Sequence, residues 1–337
     1  MMKRKTILEF LAVLAVGGLY LSPALSFDRV RIGSSSSGVS PNNGAIYAAE
    51  LKGLFKKHGI EVEVIEIGGG AARGVSALVA GDIQFLGGGG AAAISAALKG
   101  ADLVLVASVL NKGIQRVMAR SDVKNPAELK GKKVGISRFG SASHTVLQIM
   151  LRRWEINLAE IQVIQVGSSP AMLTSLDKGW IDAAVLTVPS IFVAEDKGYR
   201  VLADLADLDI DYLHEAMIAK QSYLRSHRDQ ATRFIKGYIE GIAYFKRNKK
   251  ESVEVLRKKL RMEPGRDDRY LARMYDLYAS KYFDKVPYPS LRGTETVLEF
   301  LAKEDPKAKS VEPKSFLDSS IVRELEAGGF INSLYEN

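Results

Sequence analysis

The chain has 337 residues, of which 47% are apolar and 26% charged, enough for two domains of ordinary size and too polar for a multi-span membrane protein. Forty-seven Lys and Arg face 39 Asp and Glu, a net charge of +8 spread without a polybasic block, so nucleic-acid binding is not indicated. Cysteine is absent, which excludes disulfide frameworks, thiolate metal sites and cysteine nucleophiles. The four histidines, His58, His144, His214 and His227, lack metal-ligand spacing, and no metal or cofactor is expected.

The chain begins with Lys3, Arg4 and Lys5, continues through an apolar run over 10–21, and reaches the small residues Ala24 and Ser26. This is the pattern of a secretory signal peptide, residues 1–26, with cleavage expected before Phe27. The run is shorter than the roughly 20 residues of a membrane-spanning helix. A soluble exported protein, periplasmic in a double-membraned bacterium, is the expectation.

An internal repeat organises the rest of the chain. Residues 61–70 align without a gap on 160–169, each a β-rich run ending in Gly and a loop. Leu78, Gly81 and Ile83 then match Leu176, Gly179 and Ile181, where a Gly suited to the left-handed position after a helix precedes a buried strand, 83–86 or 181–186. Upstream, strand 29–32 is set against strand 133–136, and each leads through a loop into a helix. The chain thus writes strand, loop, helix, strand, loop, helix, strand twice. Alternating strands and helices predict parallel sheets covered by helices, hence two similar α/β lobes.

Between the copies, 113–120 reads as a strand and 125–131 as a short helix starting at Asn125. Further strands are expected at 199–205 and 216–219. The last third turns helical, with Ser226 as the expected cap of a helix that carries Phe234, Ile235, Tyr238, Ile239, Ile242 and Phe245 on one face. Helices are also expected at 251–260, 267–283, 295–303 and 318–327. Tyr275, Tyr278 and Tyr282 form a helical stripe read as core packing, and Gly237 with Gly241 reads as a close helix crossing.

In open parallel sheets ligands sit beyond the carboxyl ends of the strands, where loops converge and helix N-termini present free N–H groups. The repeat fixes the loops to inspect: 34–38, 68–73 and 87–90 in the first unit, 137–143, 167–169 and 187–190 in the second. All are rich in Gly, Ser or Thr, which admit a polar or anionic group close to the backbone. Arg73 and Arg138 stand in or beside them and can pair with an anion, and Phe139 can stack on an apolar portion. Neither a P-loop nor a dinucleotide fingerprint is present, no nucleophile elbow occurs, and Asp207, Asp209, Asp267 and Asp268 read as turn or helix-start residues. Binding without turnover is the expectation.

Taken together, Leu51-Lys52-Gly53-Leu54-Phe55-Lys56-Lys57-His58-Gly59-Ile60-Glu61-Val62, Gly81-Asp82-Ile83, Leu129-Lys130-Gly131-Lys132-Lys133-Val134-Gly135-Ile136 and Gly179-Trp180-Ile181-Asp182-Ala183-Ala184 resemble the solute-binding proteins of ABC importers in the nitrate, sulfonate and taurine group. The resemblance implies a type II periplasmic binding-protein fold: two α/β lobes with central mixed sheets joined by two hinge strands, plus a helical C-terminal third. It places a discontinuous first lobe at 27–118 plus 213–337 and a second at 119–212, with hinges around 118–122 and 212–216. It further implies a monomer that captures a small polar molecule, anionic or heteroaromatic, between its two lobes and passes it to a membrane permease. By position it brings Ser35, Ser36, Gly70, Gly89, Ser141, Ala142, Ser143 and Thr187 to the ligand. A sensor partner in place of the permease is the alternative, and an enzyme on the same fold resembling those of thiamine-pyrimidine precursor synthesis is a second; those enzymes carry a cysteine-rich motif that this chain lacks.

Overall fold

The computed structural model describes residues 27–34, 40–67, 71–208, 210–303 and 305–336. The expected export signal and the expected ligand residues Ser35, Ser36 and Gly70 lie outside the described residues. Among the described residues no helix is long and apolar enough to cross a membrane.

Ten strands are described. β1 is Asp28–Ser34, β2 Ile60–Glu66, β3 Phe85–Gly88, β4 Leu103–Lys112, β5 Arg116–Ala119, β6 Lys133–Ile136, β7 Gln162–Gln165, β8 Ala183–Leu186, β9 Arg200–Asp204 and β10 Asp211–Lys220. They form two five-stranded sheets, β2-β1-β3-β10-β4 and β7-β6-β8-β5-β9. In the first only β10 runs antiparallel to its neighbours, and in the second only β5 does. The two orders are the same diagram: β1, β2, β3, β10 and β4 correspond to β6, β7, β8, β5 and β9. The repeat read in the sequence is therefore a repeat of topology. β3 and β8, in the middle of each sheet, are buried along their whole length, as parallel strands covered on both faces must be.

Pairing corrects one alignment. Ile32 lies opposite Val64 and Phe85, whereas Val134 lies opposite Val163 and Ala183. Since Val64 matches Val163 in the gapless repeat, Ile32 corresponds to Val134 and Gly33 to Gly135, two residues from the expected match. The glycines do the same work. A Cβ on Gly33 would lie 2.6 Å from Ile83 Cδ1, and one on Gly135 would lie 2.6 Å from Ile181 Cδ1. The repeat-matched isoleucines thus press onto the strand where a side chain would otherwise stand.

The chain leaves the first sheet at Lys112 and enters the second at Arg116; it leaves again at Asp204 and returns at Asp211. Met118 and Ala119, in an expected hinge, pair with Ala184 and Ala183 inside the second sheet, and 212–216 lie within β10. β4 was not expected. It is nonetheless buried over its first eight residues, and its outer edge is closed by the C-terminal segment: Leu105 O accepts from Asp318 N, Val109 O accepts from Asp284 N, and Ser108 N donates to Pro287 O.

The helical C-terminal third packs over the first sheet. Its longest helix, Arg228–Arg247, crosses the Gly44–Leu51 helix at Gly241, where a Cβ would lie 2.4 Å from Ala45 O and 2.8 Å from Ala49 Cβ. Gly237 meets Phe55 in the same way. This is the close crossing expected of that pair. Ser226 does not cap this helix: it ends the preceding helix, Gln221–Ser226, its hydroxyl donating to Ser222 O, and His227 takes the cap position. The expected helix 267–283 is an α-helix over Asp268–Leu277 continued by a π turn at Tyr278–Tyr282. Tyr275, Tyr278 and Tyr282 are buried in one apolar cluster with Phe234 and Phe245 on the first-sheet side and Leu186, Ile191 and Phe192 on the second.

Charges also join the two halves. From the C-terminal helices, Arg273 reaches Glu195 (2.5 Å) and Asp196 (3.3 Å), Arg269 reaches Asp196 (3.0 Å), and Lys281 reaches Asp207 (2.5 Å). Arg116, where the chain enters the second sheet, binds Glu195 (2.5 Å) and, where the chain leaves, Asp204 (2.8 Å). One guanidinium thereby ties the two connecting segments to each other.

Candidate functional site

At the carboxyl ends of β1 and β3 the structure places a buried polar cluster that draws Ser34 and Gly87 from the expected loops and joins them to Asn42, Asn43 and Glu215, which were not expected. Its centre is Glu215, 4% exposed, within β10. Oε2 accepts from Asn42 Nδ2 at 3.5 Å, while Oε1 has no protein partner. Asn42 and Asn43 belong to a 3-10 turn, Pro41–Asn43, capped by Ser40, whose Oγ accepts from Asn42 N. Asn43 Nδ2 donates to Ser34 Oγ at 2.8 Å, which leaves Asn43 Oδ1, also buried, without a partner.

The two unpartnered oxygens converge. A Cβ on Gly87 would lie 3.3 Å from Glu215 Oε1 and 3.5 Å from Asn43 Oδ1, so both flank the space that Gly87 keeps open. Buried polar atoms are nearly always paired, and two orphans aimed at one spot mark a place for a polar partner brought from outside, a ligand or a water. Burial pushes the Glu215 carboxyl up to about 8, helped by the charge of Glu66 and opposed by the Asn42 hydrogen bond. At neutral pH the group is therefore mostly an uncharged acid. Tyr47 O–H donates to Glu66 Oε1 at 2.9 Å, holding the nearest other carboxylate at the rim. Next along β10, burial pushes the His214 imidazole down to about 4, and its Nδ1 has no partner.

The expected residues of the second unit form their own cluster. Ser137, Ser141 and Ser143 make a triangle of hydroxyls, with Oγ separations of 2.8 Å, 2.8 Å and 3.0 Å. Ser143 Oγ also accepts from Ser137 N, and Ser141 Oγ donates to Arg138 O. Ala142 opens the Ala142–Arg153 helix. Thr187 is joined to Ser169 by a 3.1 Å hydroxyl contact. Arg138 and Phe139 stand at the surface, Phe139 58% exposed, with its ring edge-on to His144. In the first unit, Gly89 caps the Gly90–Leu98 helix, and a Cβ on it would lie 3.9 Å from His214 O of β10. Arg73 lies on the Ala71–Ala80 helix in a surface depression shared with Glu66 and Asp82.

The Ala142–Arg153 helix faces the other half: Thr145 lies close enough to Tyr212 of β10 to act on its phenol, and the Arg152 guanidinium lies 5.3 Å from the centre of the Phe300 ring. The serine cluster thus gathers at the start of a helix that touches the strand carrying Glu215. Sequence reasoning missed Glu215 because the expected strand began one residue later, at Ala216. The available signal was a lone acid between Leu213 and a run of apolar residues.

Comparison with known proteins agrees with this architecture. A protein of Brucella abortus named as a candidate binding protein is 30% identical over 220 residues, covering 64% of this chain and 67% of its own length. A Haemophilus influenzae protein with a thiamine-biosynthesis name is 30% identical over 186 residues, 54% of this chain and 56% of its own. Among solved structures, the periplasmic aliphatic sulphonate binding protein SsuA from Escherichia coli superposes with a TM-score of 0.70 at 21% identity, covering 88% of this chain and 99% of that one. The fold is the periplasmic binding-protein fold. Residues 40–252 match the family described as NMT1/THI5 like, and the chain, with Asn42, Asn43, Gly87 and Glu215 all inside that span, belongs to the NMT1/THI5-like family.

Proposed function

We propose that the chain is the extracytoplasmic solute-binding component of an ABC-type importer, capturing a small molecule between its two halves and presenting it to a membrane permease. The fold, the family and the relatives named as binding proteins support this reading. The halves are read as lobes, 27–112 with 211–336 and 116–204, pivoting on 112–116 and 204–211. Binding occurs without turnover, and the N-terminal 26 residues are read as the export signal.

The observation that narrows the ligand is the pair of unpartnered oxygens beside Gly87, one an amide acceptor and one belonging to a protonated acid. A sulfonate or nitrate needs donors. The floor of this site offers Asn43 Oδ1 as an acceptor and a single acid O–H on Glu215, with Glu66 nearby, too few donors for an anion and a good setting for a group that presents an N–H beside an acceptor nitrogen. An amino-substituted heteroaromatic ring fits, as does a neutral amidine: an N–H group meets Asn43 Oδ1 while the adjacent acceptor nitrogen takes the Glu215 acid proton, and the exposed Phe139 is available for stacking on its face.

A thermal-shift screen followed by calorimetry tests this, comparing aminopyrimidines and benzamidines with alkanesulfonates and nitrate. Stabilisation by the first class and micromolar binding, about −8 kcal/mol, is expected. Binding of sulfonates or nitrate alone would overturn the ligand reading, and turnover of a bound compound would overturn the binding-only reading.

A further inference from the structure

Tyr278 lies far along the chain from the loops that build the site, in the π turn Tyr278–Tyr282, and is fully buried. Single π turns inside helices cluster at functional positions. The Tyr278 hydroxyl donates to Asn42 Oδ1 at 2.5 Å, while Asn42 Nδ2 points to Glu215 Oε2 at 3.5 Å. A side-chain amide has two faces of opposite character, and which one Glu215 meets changes what that carboxyl can offer. With the nitrogen toward it, Oε2 is used as an acceptor, and Oε1 stays available together with the acid proton it carries. With the oxygen toward it, Glu215 must spend its acid proton on Asn42.

We propose that Tyr278 is a positioning residue for the ligand site: its hydroxyl fixes the Asn42 amide with the nitrogen toward Glu215, and so leaves Glu215 Oε1 for the ligand. The C-terminal helical third is then part of the binding site and not only a cover for the sheet. This rests on the reading that Glu215 faces the ligand. A second neighbour carries the link onward: Tyr282 packs edge-on against Tyr278 at 5.1 Å and lies among Arg116, Asp204 and Glu195, the groups that tie the two connecting segments.

The test uses the ligand-free, full-length protein, so that it stands apart from any ligand screen. The Glu215 carboxyl is followed by carbon-13 NMR from pH 5 to 10, with Glu215→Gln identifying its resonance. The titratable groups that face it, Glu66 of β2, Tyr238 of the Arg228–Arg247 helix and Tyr278 itself, are otherwise unchanged. The Asn42 N–H favours the ionised carboxylate, so losing it raises the midpoint. Asn42→Ala and Tyr278→Phe are each expected to move the midpoint up by roughly half a pH unit or more, and the double variant no further than the larger single, as residues acting in series do. An unmoved midpoint in Tyr278→Phe, or additive shifts, overturns the proposal. Should Tyr278→Phe not fold, Asn42→Ala decides alone: a raised midpoint with a displaced Tyr278 Cζ resonance supports it, and an unmoved midpoint overturns it. If the midpoints move as expected while no amine-bearing ligand binds, the positioning stands and the proposed ligand class falls.

Discussion

Glu215 occupies a strand position whose neighbours, Leu213, Ala216 and Met217, are buried, and a carboxyl is tolerated there because it keeps its proton. That has a consequence for stability. Its folded value of about 8 exceeds the ordinary one of about 4.3, so between these limits the native state binds the proton more tightly than the unfolded chain. Stability therefore falls as pH rises through that window, by up to about 1.4 kcal/mol per pH unit. His214 acts oppositely: with its value pushed down to about 4, it weakens the fold as pH drops below about 6.5. The two offset each other in mildly acidic buffer, and Glu215 alone governs from about pH 6.5 to 8. Glu215→Gln is expected to raise the melting temperature at pH 8 and to change it little at pH 5, which a pair of calorimetric scans checks. At Gly87, alanine would place its Cβ against Glu215 Oε1 and Asn43 Oδ1. Gly87→Ala should leave the fold intact and weaken binding of the ligand found by screening tenfold or more, about 1.4 kcal/mol, as measured by titration calorimetry. Asn42 and Asn43 were illegible beforehand, and Glu215 showed only as an acid beside an apolar run, because their role depends on orphaned oxygens meeting across strands, and composition carries no trace of that.

Most strands were legible, because continuous β-branched runs between glycines announce themselves. β4 was not: its sequence, Leu103 to Lys112, carries apolar residues on successive positions, which fits a buried helix as well as a strand. The two-residue slip between β1 and β6 has a different cause. Side chains alternate with period two, so a shift of two preserves which face is buried, and only the meeting of Gly33 with Ile83 and of Gly135 with Ile181 distinguishes the registers. The serine triangle was located by its place after β6, but its mutual hydrogen bonds could not be read from hydroxyl content. Glycine pairs on helices speak more plainly. At Gly241 the obstacle is the backbone oxygen of Ala45, which cannot rotate away, so Gly241→Ala should force the Gly44–Leu51 and Arg228–Arg247 helices apart. A loss of about 2–3 kcal/mol in urea denaturation, without change in the denaturant slope, is expected.

Across the whole molecule the duplicated order of strands was visible in the repeat, whereas the ion pairs between halves were not, since surface charges carry no address in sequence. Arg273 bridges Glu195 and Asp196 and lies over the Phe192 ring at 4.2 Å. Exposed pairs of this kind contribute up to about 1 kcal/mol each and are screened by salt. Arg273→Ala should thus cost little melting temperature while loosening the relation of the two halves. Small-angle scattering at low salt is expected to show a larger radius of gyration for the variant, and raised salt should bring the parent toward it; identical curves would remove any role for the cluster in holding the halves.

The antiparallel strand β10 has one more consequence, for the order in which the molecule can be assembled. It lies between β3 and β4, yet it comes after both of them in the chain, beyond every strand of the second sheet. When β4 has been made, its one strand partner among the described residues does not yet exist, and β3 has an empty side. The second sheet, by contrast, is complete once Asp204 is reached. The half that begins the chain is therefore the half that finishes last, and its closing strand is the one that brings Glu215: until the first sheet is whole, the proposed ligand site lacks its floor.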